Sequence, residues 1–233
     1  MSPRSLGRLA GLLYLVLAVA SGPSQFLRES LLVAGDPAAT AAKVRDNADA
    51  LRIALAADLV GVAAFACMAL ILWAIFREIG PRAAVALLVL VTIAATLQAA
   101  DLTNHAAAYI LAGQPASPST DQLVSLFVNL HRQGYYVAQV FFGLWLVPFG
   151  WLIWRSGWMP RVLGLGLIAG GVLYVIALVP VYASSSLGSD LNTAISMPAG
   201  VAEIASGIWL AVMGVDVTRT PARSTELAAA AAA

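Results

Sequence analysis

Six stretches of this chain are each close to the length of mostly apolar sequence that a helix needs to cross a bilayer, about 20 residues. The clearest are 53–76, 83–100 with a polar continuation, 137–154 and 162–181, and another runs over 195–215. Glycine, proline or charged residues separate them, as in Gly80-Pro81 and Gly157-Trp158-Met159-Pro160. The first stretch, 9–20, follows Arg4 and Arg8 and ends in Ala18-Val19-Ala20, which is also the pattern of a cleavable secretory signal. Reading on to Phe26 makes it a full span. Hydrophobic residues form 61% of the chain and charged ones 11%, against about 25% charged in soluble domains. A core of this size cannot absorb so much apolar surface, so lipid must take the rest. The expected fold is all-α: a polytopic transmembrane bundle of six helices over residues 1–217, followed by a disordered cytoplasmic tail over 218–233.

Arginines orient the bundle. With the N-terminus inside, Arg4 and Arg8, Arg77 and Arg82, Arg155 and Arg161, and Arg219 and Arg223 all fall on one side. The other side mixes Arg28, Lys43, Arg45, Arg52 and Arg132 with five acids, and its loop at 113–120 carries no charge. Short basic loops stay cytoplasmic, so both termini are expected there, in a multi-pass protein of the plasma (inner) membrane. Trp73, Trp151, Trp154 and Trp158 near the inner helix ends fit an interfacial belt. A net charge of +1 excludes a nucleic-acid partner, which would need a basic face. The single cysteine, Cys67, is expected as a small buried hydrophobe. In the fourth span, Ser119 with Gln122 three residues on reads as a helix start. From there to Trp154 is about 50 Å of helix, which either tilts outward or breaks near Gly134. With the extended third span it forms a hairpin standing proud of the outer surface.

Ionisable side chains inside spans cost some 2.5–3.5 kcal/mol each, so each needs a partner, water or a purpose. The cytoplasmic half has almost none. In the outer half, Asp58 lies six residues below Arg52, and Glu203 about as deep in the last span. Gln98, Asp101 and His105 share one face of the third span, with Asn104 alongside. His131, Tyr135 and Gln139 recur every four residues in the fourth, flanked by Arg132 and Tyr136, and Tyr174 adds a hydroxyl from the fifth. Stripes at one level from several helices predict a polar pocket open to the outside, lined by Arg52, Asp58, Asp101, His105, His131, Arg132, Tyr135, Gln139, Tyr174 and Glu203. The bland alternative is that the acids pair with Arg52, Arg132 or a histidine and set helix register. Gly200, Ser206 and Gly207 place Glu203 on a packing face, and Gly166 and Gly170 with Tyr174 form another. His105, His131 and Asp101 carry zinc-ligand chemistry, but two histidines without a spaced motif predict neither metal nor cofactor.

Several runs resemble a bacterial membrane-protein family known as domain of unknown function 4386. They are Arg8-Leu-Ala-Gly-Leu-Leu-Tyr-Leu15, Gly35-Asp-Pro-Ala-Ala-Thr-Ala41 and Arg52-Ile-Ala-Leu-Ala-Ala-Asp-Leu59. Gly143-Leu-Trp-Leu-Val-Pro-Phe-Gly150, Ser156-Gly-Trp-Met-Pro-Arg-Val-Leu-Gly164 and Pro198-Ala-Gly-Val-Ala-Glu-Ile204 continue the match, with Trp209 and Met213-Gly-Val215 completing it. The resemblance implies a retained first helix, and places Arg52, Asp58, His131 and Glu203 inside family motifs. It implies no activity. Three functions stay open. One is a site that binds or acts on an amphiphile or small solute, with Glu203 or Asp58 as general acid or base assisted by His131 and His105. The others are a non-catalytic membrane subunit or sensor, and a small proton-coupled transporter. Expected partners are the lipid bilayer and a small-molecule or lipid ligand, with homo-oligomerisation open.

Overall fold

A computed structural model describes residues 1–183 and 188–219. The expected tail therefore lies almost wholly outside the described residues. The described chain is all helical: α1 (Pro3–Leu31), α2 (Pro37–Asp46), α3 (Ala48–Phe76), α4 (Pro81–Ala112), α5 (Pro118–Leu144), α6 (Leu146–Ser156), α7 (Arg161–Ile176), α8 (Leu178–Ala183) and α9 (Gly188–Met213), with a short 3₁₀ turn at Val217–Arg219. Six units are long and apolar enough to cross a membrane: α1, α3, α4, α5 with α6 (Pro118–Ser156), α7 with α8 (Arg161–Ala183), and α9. The six spans expected from hydropathy are all present.

Consecutive spans pack side by side, and α1 closes the ring by packing on α9 as well as on α3. The start of α1 and the end of α9 therefore lie at one end of the bundle, here the terminal end, and the opposite end is distal. Small residues make the closing seam. A Cβ on Gly11 would sit 2.1 Å from the backbone nitrogen of Ala211, and one on Gly7 would sit 2.8 Å from that of Val215. Such approach lets backbones pack where lipid offers no hydrophobic drive between helices. Arg8 and Arg4 add a second tie, their Nε groups donating to Val212 O (3.1 Å) and Met213 O (3.2 Å). These carbonyls belong to the last turn of α9, which has no intrahelical donors left. Gly166 and Gly170 of α7 face Ala202 and Ala199 of α9, as a small-residue face requires. Gly200, by contrast, meets nothing within 4 Å and belongs to no packing face.

Two spans are broken by proline. α5 ends at Leu144 and α7 at Ile176, each four residues before a proline, Pro148 and Pro180. A proline has no N–H to give the carbonyl four residues back, and its ring crowds that carbonyl. Of the two alternatives for this long span, a break near Gly134 does not occur, because α5 runs through it. That glycine instead seats a side chain, since a Cβ there would lie 2.1 Å from Asp101 Oδ1. The start of α5 also shifts: Ser117, not Ser119, is the cap, its hydroxyl accepting from Thr120 N at 3.2 Å.

The terminal half of the bundle is filled with rings. Trp145, at the α5–α6 break, meets Tyr14 and Phe65 edge-on and stacks on Phe149 at 5.5 Å. Phe76 links Phe149 to Trp158, on which it stacks. Trp158 is therefore a core residue and not part of an interfacial belt. Trp73, Trp151 and Trp154 each carry an arginine over the ring, Arg77, Arg155 and Arg161 respectively. Cys67 is exposed on the outside of the bundle, contrary to expectation, because its position on α3 turns away from the packed face.

The short helix α2 has no counterpart in the sequence reading. It is too short to span and not strongly apolar, so hydropathy passes over it. It packs across α4 and α5, burying Ala41 and Val44 with Leu31, Leu51, Ala112 and Val124 in a second small core. Arg45 pins it there, donating to Ala112 O (3.3 Å) and to Asp121 (2.5 Å). The hairpin of α4 and α5 is thus covered on one side.

If the α1–α9 seam closes the ring, Gly11→Leu should cost on the order of 1–3 kcal/mol or more through overpacking. Gly22→Leu, with open space around it, should be neutral. Thermal unfolding of both variants in detergent checks this, and equal melting temperatures would contradict the seam.

Candidate functional site

The polar residues of the distal half form three hydrogen-bonded groups. In the first, Arg28 of α1 reaches Asp58 of α3 with Nη1, while Nη2 donates to Gln25 Oε1 at 3.1 Å. Both partners are buried, Asp58 completely. Arg28 thus takes the place expected for Arg52, which points out of the bundle with a side chain 63% exposed and pairs with Asp49. The reason is helical phase: Arg52 and Asp58 are six residues apart, about 120° around α3, and so on different faces. Arg28 stands at the end of its own span, where an arginine looks like interfacial punctuation. Its stem is long enough to carry the charge back into the bundle.

The second group joins α4 to α5. His131 Nδ1 lies 2.8 Å from Asp101 Oδ2 and 3.3 Å from the Asp101 carbonyl. Asn104 Nδ2 donates to Oδ1 of the same carboxylate at 2.9 Å. Asp101 is buried against Gly134. The His105 ring lies 5.6 Å from that of His131. Arg132 is partly buried and donates from Nη2 to Asn129 at 3.1 Å.

The third group sits deeper. Glu203 of α9 accepts from the Tyr14 hydroxyl at 2.8 Å, and the Tyr174 hydroxyl approaches the same carboxylate. Nearby, Gln139 Nε2 donates to the Tyr174 carbonyl at 3.0 Å, and Gln139 Oε1 accepts from Asn192. Asn192 also donates to Ala177 O at 3.0 Å. These amides satisfy carbonyls at the α7–α8 break, so Gln139 secures a broken helix. Asp58 and Glu203 therefore have separate partners. Tyr135, which packs on Phe142, lies within electrostatic reach of both acids.

Between α1, α4 and α5, under α2, runs a narrow cleft, part of it open, with a cavity volume of about 30 Å³. Its polar lining is Arg28, Arg132, His105 and His131 with Gln25 and Glu29, and its walls are aliphatic, including Leu31, Val44, Leu51 and Val128. Of the ten residues expected around one pocket, His105, His131 and Arg132 line this cleft. Asp101 stands behind His131, and Asp58 behind Arg28. Tyr174 and Glu203 belong to the deeper group. Among the described residues no cluster of three or more His, Cys, Asp or Glu is gathered as for a metal.

Arg28 Nε, both nitrogens of His105, His131 Nε2 and Arg132 Nε are buried without a hydrogen-bond partner in the protein. All five belong to residues lining the cleft. Leaving a buried polar atom unmade costs about 1–3 kcal/mol, so five in one place are a concentrated cost to the fold; Ser21, Asp58, Trp158, Ser206 and Trp209 each carry one more elsewhere.

The Arg28–Asp58 pair should behave as a buried ion pair. Arg28→Met or Asp58→Asn alone should each cost roughly 3–5 kcal/mol, and the double variant should recover much of that loss. A double-mutant cycle by unfolding in detergent measures it; additive losses would show that the two do not interact.

No curated protein and no solved structure matches the chain. A family model does, over residues 9–214, a range that contains α1 to α9 almost entire and every residue of the three polar groups. The chain therefore belongs to the family described as Domain of unknown function (DUF4386).

Proposed function

We propose that this protein binds an amphiphile or small solute that presents hydrogen-bond-accepting oxygens, in the cleft between α1, α4 and α5. The observation that carries this is the set of unpartnered nitrogens on Arg28, His105, His131 and Arg132 above aliphatic walls. Arginine Nε–H groups only donate, and aliphatic walls take an acyl or alkyl chain. Charge alone would not select a ligand, because Asp58, Asp101 and Glu29 more than offset the two arginines. Directed donors do the selecting.

In this reading the protein sits in the bacterial plasma membrane with both termini cytoplasmic. The arginines at the terminal end support that orientation. The cleft then opens at the outer surface, in reach of amphiphiles in the outer leaflet. The packing of rings in the terminal half, from Tyr14 through Trp145 and Phe149 to Trp158, favours a site closed on its inner side over a conduit for a transported solute.

The test is ligand-dependent stabilisation of the purified protein in nanodiscs, with laurate as the probe. Laurate should raise the melting temperature of the wild type, and Arg132→Ala combined with His105→Ala should weaken binding about tenfold, or roughly 1.4 kcal/mol. The same response from wild type and double variant would mean that laurate partitions into lipid and the cleft holds nothing.

A further inference from the structure

We infer that Asp101 and His131 form a proton-accepting dyad for hydrolysis of an acyl ester seated in the cleft, with His131 Nε2 as the catalytic base. This deepens the binding proposal and rests on it. Both atoms facing His131 Nδ1 are oxygens, a carboxylate at 2.8 Å and a carbonyl at 3.3 Å. Nδ1 therefore carries the hydrogen, and the tautomer this selects has its lone pair on Nε2. Nε2 is buried without a protein partner on a residue that lines the cleft. A carboxylate that fixes the tautomer and orientation of an imidazole, and steadies the imidazolium, is the working part of a histidine general base.

The surroundings are built for that orientation. Asn104 holds the second oxygen of Asp101, and Gly134 makes room where any Cβ would collide with the carboxylate. A simple tie between α4 and α5 needs only the Nδ1 bond. It would not need a neighbouring His105 with both ring nitrogens unpartnered, nor two arginines with free Nε groups in the same cleft. Donors and a base in one cleft are what an acyl carbonyl requires as it becomes tetrahedral.

The step balances with water as co-reactant. His131 Nε2 takes a proton from water as the water oxygen bonds to the ester carbonyl carbon. The π pair moves onto the carbonyl oxygen, which accepts from the arginine Nε–H groups. The carbonyl then re-forms, the C–O ester bond breaks, and the departing alcohol oxygen takes the proton back from Nε2. The products are a carboxylic acid and an alcohol. Asp101 touches no reacting atom and acts as a positioning residue.

The experiment follows release of p-nitrophenolate from p-nitrophenyl butyrate and laurate by the wild type in nanodiscs, beside laurate binding. Turnover of the laurate ester is expected, with His131→Gln lowering kcat at least about a hundredfold. Asp101→Asn should lower kcat by about 10²- to 10⁴-fold with KM little changed, since the wrong tautomer is then held. A purely structural Asp101 would move melting temperature and binding without this kcat-specific loss. Should His131→Gln fail to accumulate, Asp101→Asn carries the test. Laurate binding with no ester turnover, or a His131→Gln enzyme with wild-type kcat, overturns the dyad and leaves the binding proposal standing. Loss of both binding and turnover in the wild type overturns the two together.

Discussion

A bilayer has no hydrogen bonds to offer, so every polar group carried into the spans must find its partner within the protein. Most of what is particular about this bundle follows from that. Pro148 and Pro180 interrupt two spans, and at the second break Gln139 and Asn192 serve the carbonyls of Tyr174 and Ala177. The last carbonyls of α9 are met by arginines of α1. Asp58 draws Arg28 inward, and Asp101 holds His131. Each of these ties joins one span to another or mends a break, so satisfying the polar atoms also sets the order in which helices touch.

The two halves meet the constraint in different ways. The terminal half avoids it with rings, which bury large area and need no partner for most of their atoms. The distal half keeps its polar residues and pairs them, but incompletely, and five of the ten buried atoms left without a partner among the described residues belong to four residues around one cleft. A bundle under selection for stability alone would gain from replacing those residues with apolar ones of like size. The proposed binding site rests on that contrast.

The helices α2 and α4–α5 show how the cleft acquires a roof. The helix α2 lies across the α4–α5 hairpin with Arg45 bonded to both arms. The roof rests on the small apolar core of Leu31, Ala41, Val44, Leu51, Ala112 and Val124. It is a minor core, away from the aromatic one, so the distal end can open at less cost than the bundle itself.

Hydropathy alone determined that the chain spans a membrane six times and that its polar side chains gather toward one end, because a span needs only length and apolar composition. The pairing of His131 with Asp101 was within reach of the sequence, since both sit at matching heights on adjacent spans joined by a short loop. Which cation meets Asp58 was not, because Arg28 and Asp58 come from different helices, and their meeting depends on the rotation of each about its own axis. The same holds for Gly134, which reads as a helix breaker in sequence and is a seat for Asp101 in space. Only the packed ring decides such matters: periodicity says which residues share a face of one helix, whereas the neighbour that face confronts is set by close contacts along every other seam.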